Sequence, residues 1–157
     1  MELRVTPFDD PDSVKLIAEV QQEYVVRYGD QDKTPVEPAE FAPPHGLFLV
    51  GYAGGEPVAC GGWRARQNPT GAEIKRMFVV NSARGKGFAR QVLAELERTA
   101  ARAGHRRMVL ETGLNQPEAM ALYQSSGYEK IPQFGVYKGT TLSVCFGKDV
   151  TPESAGA

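Results

Sequence analysis

Arg84-Gly85-Lys86-Gly87-Phe88-Ala89 is the stretch whose residue types speak most directly of chemistry. Gly85 and Gly87 lack the β-carbons that would hold a backbone away from a ligand, and a helical apolar pattern opens immediately after them. The first turn of a helix leaves N–H groups without partners, pointing outward at the positive end of the helix dipole. Arg84 and Lys86, with Arg90 one turn further in, bring cationic charge to the same place. Together these residues predict a cradle for phosphate or pyrophosphate. Two familiar phosphate loops do not fit. The Walker pattern needs Ser or Thr after Gly-Lys, where this chain has Gly87, and the dinucleotide pattern needs a third glycine and an acid at the end of the next strand.

The cradle must be positioned by the elements around it. Leu3 to Thr6 reads as a first strand, and Asp10-Pro11 as an N-cap with proline at the first helical position. Val14, Ile17, Val20, Tyr24 and Tyr28 then recur at helical spacing, and Gly29 closes the helix. Asp30 to Pro44, with four acids and four prolines, is a loop with room for one short helical turn. Gly46 to Tyr52 and Pro57 to Arg66 flank Gly54-Gly55 as a hairpin, and Ala72 to Val80 extends it to an antiparallel meander. Phe88, Val92, Leu93, Leu96 and Ala100 form the apolar stripe of a central helix that Gly104 ends. A strand at Met108-Val109-Leu110, a helix from Pro117 to Gly127, and strands at Tyr128–Ile131 and Leu142–Lys148 follow. The order implies an α/β architecture, a mixed sheet with helices on both faces.

Composition bounds the function. The chain has 157 residues, 41% hydrophobic and 24% charged, enough for a single domain over residues 1–150, with 151–157 expected as a disordered tail. A net charge of −1 gives no field to collect nucleic acid. The N-terminus lacks a signal-peptide core and no stretch reaches membrane-spanning length, so a cytoplasmic protein without a membrane partner is expected. Cys60 and Cys145 are far apart and without a neighbouring His, so they read as buried thiols rather than metal ligands, and no metal is expected. His45 and His105 are isolated and read as surface residues, Trp63 and Tyr52 as strand packing.

Arg84, Gly87 and Ala89 also stand at the positions of the coenzyme A signature Arg/Gln-x-x-Gly-x-Gly/Ala, and Asn115, Ala119, Leu122-Tyr123 and Gly127-Tyr128 look like a second signature further along the chain. On these residues the sequence resembles the GNAT superfamily over nearly its whole length. Ala72 to Val79 and Leu110-Glu111-Thr112-Gly113 are similar to a subgroup of small bacterial members, mostly without an assigned substrate. The resemblance implies the GNAT fold, a central, mostly antiparallel sheet of about seven strands flanked by about four helices, and transfer of an acetyl group from acetyl-CoA to an amine. It implies that Arg84 to Arg90, namely Arg84, Gly85, Lys86, Gly87, Phe88, Ala89 and Arg90, hold the pyrophosphate. The backbone of Phe78, Val79 and Val80 would hold pantetheine, with Asn115 on its other side, and an N–H near Val79 would meet the oxyanion.

Transfer to an amine needs a neutral nitrogen, a polarised carbonyl and a proton for the departing sulfur. By resemblance Tyr123 lies near the sulfur and is the general acid; a phenol of pKa about 10 suits that task. Glu73 resembles the general base of several branches, which requires burial or a water chain to raise its basicity, and Glu111 on the next strand is its rival. The loop from Asp30 and the loop from Phe134 to Thr141 would wall the acceptor site. Asp30, Asp32, Glu37 and Glu40 suit a cationic amine or simply solvate the loop, whereas Arg64, Arg66 and Arg76 suit a carboxylate. The leading expectation is a small-molecule N-acetyltransferase with an amine acceptor as its partner. A non-catalytic acyl-CoA-binding module and a protein-lysine or N-terminal acetyltransferase are the alternatives, and a homodimer is open to the family.

Overall fold

The structure is a computed structural model, and it describes residues 1–151. The tail expected at 151–157 therefore lies, beyond Thr151, outside the described residues. Local signals start the fold. Asp10 caps α1 (Pro11–Tyr28), its Oδ1 accepting from the Asp12 N–H at 2.9 Å, and Pro11 occupies the first turn where its missing N–H costs nothing. Gly29 ends the helix at φ 82°, its N–H returning to Val25 O. Gly54 and Gly55, both at positive φ, turn β2 (Gly46–Ala53) into β3 (Glu56–Arg66), and β4 (Gly71–Val79) extends the meander. β1 (Glu2–Val5), β5 (Arg107–Gly113), β6 (Glu129–Ile131) and β7 (Ser143–Asp149) complete one seven-stranded sheet, ordered β1-β2-β3-β4-β5-β7-β6.

Alternation along β2 divides the core between the two faces of that sheet. Leu47 and Leu49 face α2 (Phe88–Arg102), whose Val92, Leu93, Leu96 and Ala100 pack against Trp63, Ile74, Met108 and Leu110. Phe48 and Val50 face the other way, onto Leu16 of α1, Phe41 and Cys60. α3 (Pro117–Ser125) lies over the α2 face through Tyr123, Ala119 and Leu122. Every neighbouring pair of strands is antiparallel except β4 and β5.

Three details differ from expectation. Among the described residues there are three α-helices rather than about four, with 3-10 turns at Pro38–Phe41 and Asn81–Ala83; the prolines of the 30–44 segment withhold the N–H groups a longer helix needs. The fully buried side of α1 is Ser13, Leu16 and Val20, and Val14 faces solvent. Ser13 can be buried because its hydroxyl donates to Pro7 O at 2.7 Å. His105 is half-buried, its ring edge-on to Trp63 at 5.0 Å, and burial lowers its pKa; His45 is exposed as expected.

Candidate active site

β4 and β5 run parallel but pair only from Ala72 to Ile74, against Met108 to Leu110. Beyond Ile74 the strands part, and β4 keeps its bonds to β3 alone, Phe78 opposite Cys60 and Val79 opposite Ala59. The gap opens into a cavity of about 1090 Å³ bounded by α1, the parted strands, the start of α2, α3 and the loop before β7. Phe78 and Val79 line it with an edge of backbone unpaired on the β5 side.

At one end of the cavity α2 begins without a side-chain cap. Its first helical return is Gln91 N–H to Gly87 O, which leaves the N–H groups of Phe88, Ala89 and Arg90 free of intrahelical partners. Gly85 and Gly87 both sit at φ 79°, and a β-carbon on either would meet nothing within 4 Å. Their glycine requirement is therefore conformational, a left-handed turn that aims the amides outward. Gly85, Gly87, Phe88, Ala89 and Arg90 all line the cavity.

The basic residues are more engaged than their types suggested. Arg84 lines the cavity while its Nε donates to Val79 O at 3.0 Å and its Nη2 to both carboxylate oxygens of Glu23. Arg90 is held by Ser125 and Ser126 at the end of α3. Lys86 is exposed and outside the lining, and Val80 turns to the α1-side core. Asn115 is also outside it: its Nδ2 donates to Arg27 O at 2.9 Å while Arg27 Nη1 donates to Asn115 O at 2.8 Å. This exchange ties the end of α1 to the turn before α3.

Tyr123 is 5% exposed and packs on Tyr128 and Phe146, yet it lines the cavity. Its burial raises the pKa of the phenol, which keeps its proton at neutral pH. Glu73 is placed otherwise. Its carboxylate is buried between Arg64 Nε at 3.0 Å and Arg66 Nη1 at 3.2 Å, and it does not line the cavity. Both guanidiniums hold the carboxylate away from the cavity, so Glu73 lacks the access that a base needs. Glu111 has that access: it is half-buried in the cavity wall, and burial pushes its carboxyl up against the lowering effects of the Ser143 hydroxyl and Lys75. Ser143 Oγ donates to Glu111 Oε2 at 2.7 Å.

Several lining residues have partners or places that the sequence reading did not give them. Asp32 leaves its loop to meet Lys75 Nζ at 2.8 Å and Arg76 Nη1 at 2.5 Å. Tyr24 lies in the wall rather than in a simple core stripe, its phenol raised by burial. Tyr137 accepts from the Lys33 N–H at 2.7 Å, joining the two loops that flank this side of the cavity. The Tyr24-Tyr28 pair at i, i+4 was the available signal; nothing near Asp32 in sequence marked its partners.

An open strand edge, an uncapped helix start and a buried phenol meet around one cavity. Similarity to known proteins gives the family. The model of the acetyltransferase (GNAT) family matches residues 14–128. The chain is 33% identical over 141 residues to an "IAA acetyltransferase" of Azospirillum brasilense, covering 90% of this chain and 92% of that protein. It is 30% identical over 137 residues to the uncharacterized N-acetyltransferase YjgM of Escherichia coli strain K12, covering 82% and 81%. A Klebsiella pneumoniae structure, named as an acyl-CoA N-acyltransferase, superposes with a TM-score of 0.78 at 27% identity, covering 95% of this chain and 97% of that one. The molecule is an acyltransferase. It belongs to the acetyltransferase (GNAT) family. Among the described residues no helix is long and apolar enough to cross a membrane.

Proposed function

We propose that this protein transfers the acetyl group of acetyl-CoA to the amine of a small molecule in the cytoplasm. The observation that carries the reading is the convergence of the uncapped α2 start, the free β4 edge and the Tyr123 phenol on one cavity. The residues fit coenzyme A: three partnerless amides and Arg90 suit its pyrophosphate, and the Phe78–Val79 edge suits the amides of its pantetheine arm. When bound, acetyl-CoA supplies an activated thioester. Tyr123 holds a proton at Oη for the departing sulfur. Glu111, rather than Glu73, takes the proton of the attacking amine, since its carboxyl reaches the cavity and has the raised basicity of a half-buried acid. A backbone N–H near Val79 is the proposed oxyanion donor.

The link from Lys33 N–H to Tyr137 crosses the acceptor end and favours a small molecule over a peptide laid along an open groove. Calorimetric titration with acetyl-CoA tests the reading, wild type against the double variant Gly85→Val, Gly87→Val. Binding by wild type and its loss in a folded variant support the cradle. A folded wild type that binds no acetyl-CoA would remove the proposal, and binding without turnover of any amine would leave a sensor module.

A further inference from the structure

The cavity wall contains a charge arrangement, Asp32 with Lys75 and Arg76, that has no part in the coenzyme A contacts proposed above. Lys75 and Arg76 are consecutive on β4, yet both are more than nine-tenths buried and both reach the same oxygen, Asp32 Oδ2. A regular strand would send them to opposite faces. β4 avoids this with a bulge: Lys75 pairs with Gly62 and Phe78 with Cys60, so Arg76 and Met77 together face Gly61, and Arg76 sits at φ 60°. A non-glycine residue at positive φ is a strained choice, and here it sets two cations side by side in a cavity wall.

These two cations share one carboxylate, leaving the trio one positive charge in excess. Lys75 has three N–H donors and Arg76 five, of which Asp32 takes one from each. Arg76 Nε is buried with no hydrogen-bond partner among the described residues. Arg64 and Arg66, the other guanidiniums on this face, are turned to Glu73 and Glu40 and lie outside the cavity lining. A buried cation with donors to spare is costly unless an anion completes it.

We infer that the acceptor is an amino-carboxylate, its carboxylate completing Lys75 and Arg76 and its amine facing Glu111. This rests on the acetyltransferase reading above and narrows it. Charge and geometry agree: a carboxylate neutralises the excess charge and matches the planar donors of a guanidinium, which a neutral or cationic group does not. Lys75, Arg76 and Glu111 line the same cavity, so one small molecule held in it can meet both recognition points. In the transfer the amine nitrogen forms its amide bond as the thioester C–S bond breaks. The amine's proton passes to Glu111, and the Tyr123 proton passes to sulfur.

Free-thiol release, measured on matched sets of acceptors, tests this with the wild-type protein: free amino acids, their carboxamides, and the corresponding decarboxylated amines. The expected result is a kcat/KM at least about tenfold higher for the carboxylates, the size of one charge-assisted contact. Lys75→Met should bring the carboxylate-to-amide ratio toward one, and Lys75→Arg should restore it. Equal or better turnover of amides or decarboxylated amines overturns the inference and leaves acetyl transfer standing. So does a folded protein that binds acetyl-CoA but neither binds nor acetylates any carboxylate acceptor. A folded protein that binds no acetyl-CoA removes the transferase reading and this inference with it.

Discussion

Lys75 Nζ lies 2.8 Å from Asp32 Oδ2, joining the middle of the fourth strand to a loop that alternating charge alone would leave in solvent. Burial works to raise the Asp32 carboxyl, but Lys75, the Thr34 N–H and Arg76 outweigh it and hold the pKa well below the usual carboxylate range. A depressed acid stabilises the fold above its unfolded pKa, and the contribution is lost as pH falls through its folded value. Asp32→Asn should therefore cost about 3 kcal/mol at pH 7, the order expected for one partner lost from a buried pair. The gap from wild type should narrow below about pH 4, where unfolded aspartate takes its proton. Urea melts of both proteins at several pH values measure it; a gap independent of pH would contradict the assignment.

The Tyr123 phenol has aromatic neighbours and, among the described residues, no hydrogen-bond partner, so Tyr123→Phe removes a proton donor and little packing. Stability should change by no more than about 0.5 kcal/mol. Acetyl-CoA affinity should hold, while kcat should fall about 10²–10⁴-fold, the usual contribution of a positioned acid. Thermal denaturation, calorimetry and steady-state rates separate the three effects.

Glu111 and Glu73 should answer differently to the same substitution. The raised carboxyl of Glu111 must be ionised to accept a proton, so activity should fall as pH drops through a value above the ordinary glutamate range. Glu111→Gln should lower kcat and remove that acidic limb. Glu73→Gln should instead cost about 3 kcal/mol of stability by removing the buried charge that Arg64 and Arg66 share, with the acidic limb retained. A limb that disappears with Glu73 rather than Glu111 would reverse the assignment.

Gly87→Ala places a β-carbon in open space but on a left-handed backbone, so its cost is conformational, about 1–2 kcal/mol. The strain should be relieved by tilting the first turn of α2, and KM for acetyl-CoA should rise more than KM for the amine. A mutant whose acetyl-CoA affinity is unchanged would detach the cradle from the cofactor.

Signals confined to a few neighbouring residues were legible before folding. Asp10-Pro11, Gly29, Gly54-Gly55, the Gly87–Phe88 junction and Pro117 each declare an end or a turn through backbone geometry that near neighbours impose. Period-two and helical spacing then divided the apolar residues between strands and the central helix, and resemblance supplied the family. What a residue type offered was a chemistry without a location. Asn115, Lys86 and Val80 belong to the signature segments, yet their side chains turn away from the cavity toward Arg27, solvent and the α1-side core.

By itself the sequence determined the order of elements, the two-faced sheet and the glycine turn that opens α2, because each is set by local geometry and by which side chains avoid water. Only the tertiary structure decided which charges meet. Asp32 and Lys75 are 43 residues apart, and Arg76 joins them because a bulge opposite Gly61 turns it against strand alternation. The same packing spends Glu73 on two arginines and leaves Glu111 in the cavity wall. Electrostatic pairing acts over a few ångströms of space, and spacing along a chain does not encode that distance once a strand slips by a residue.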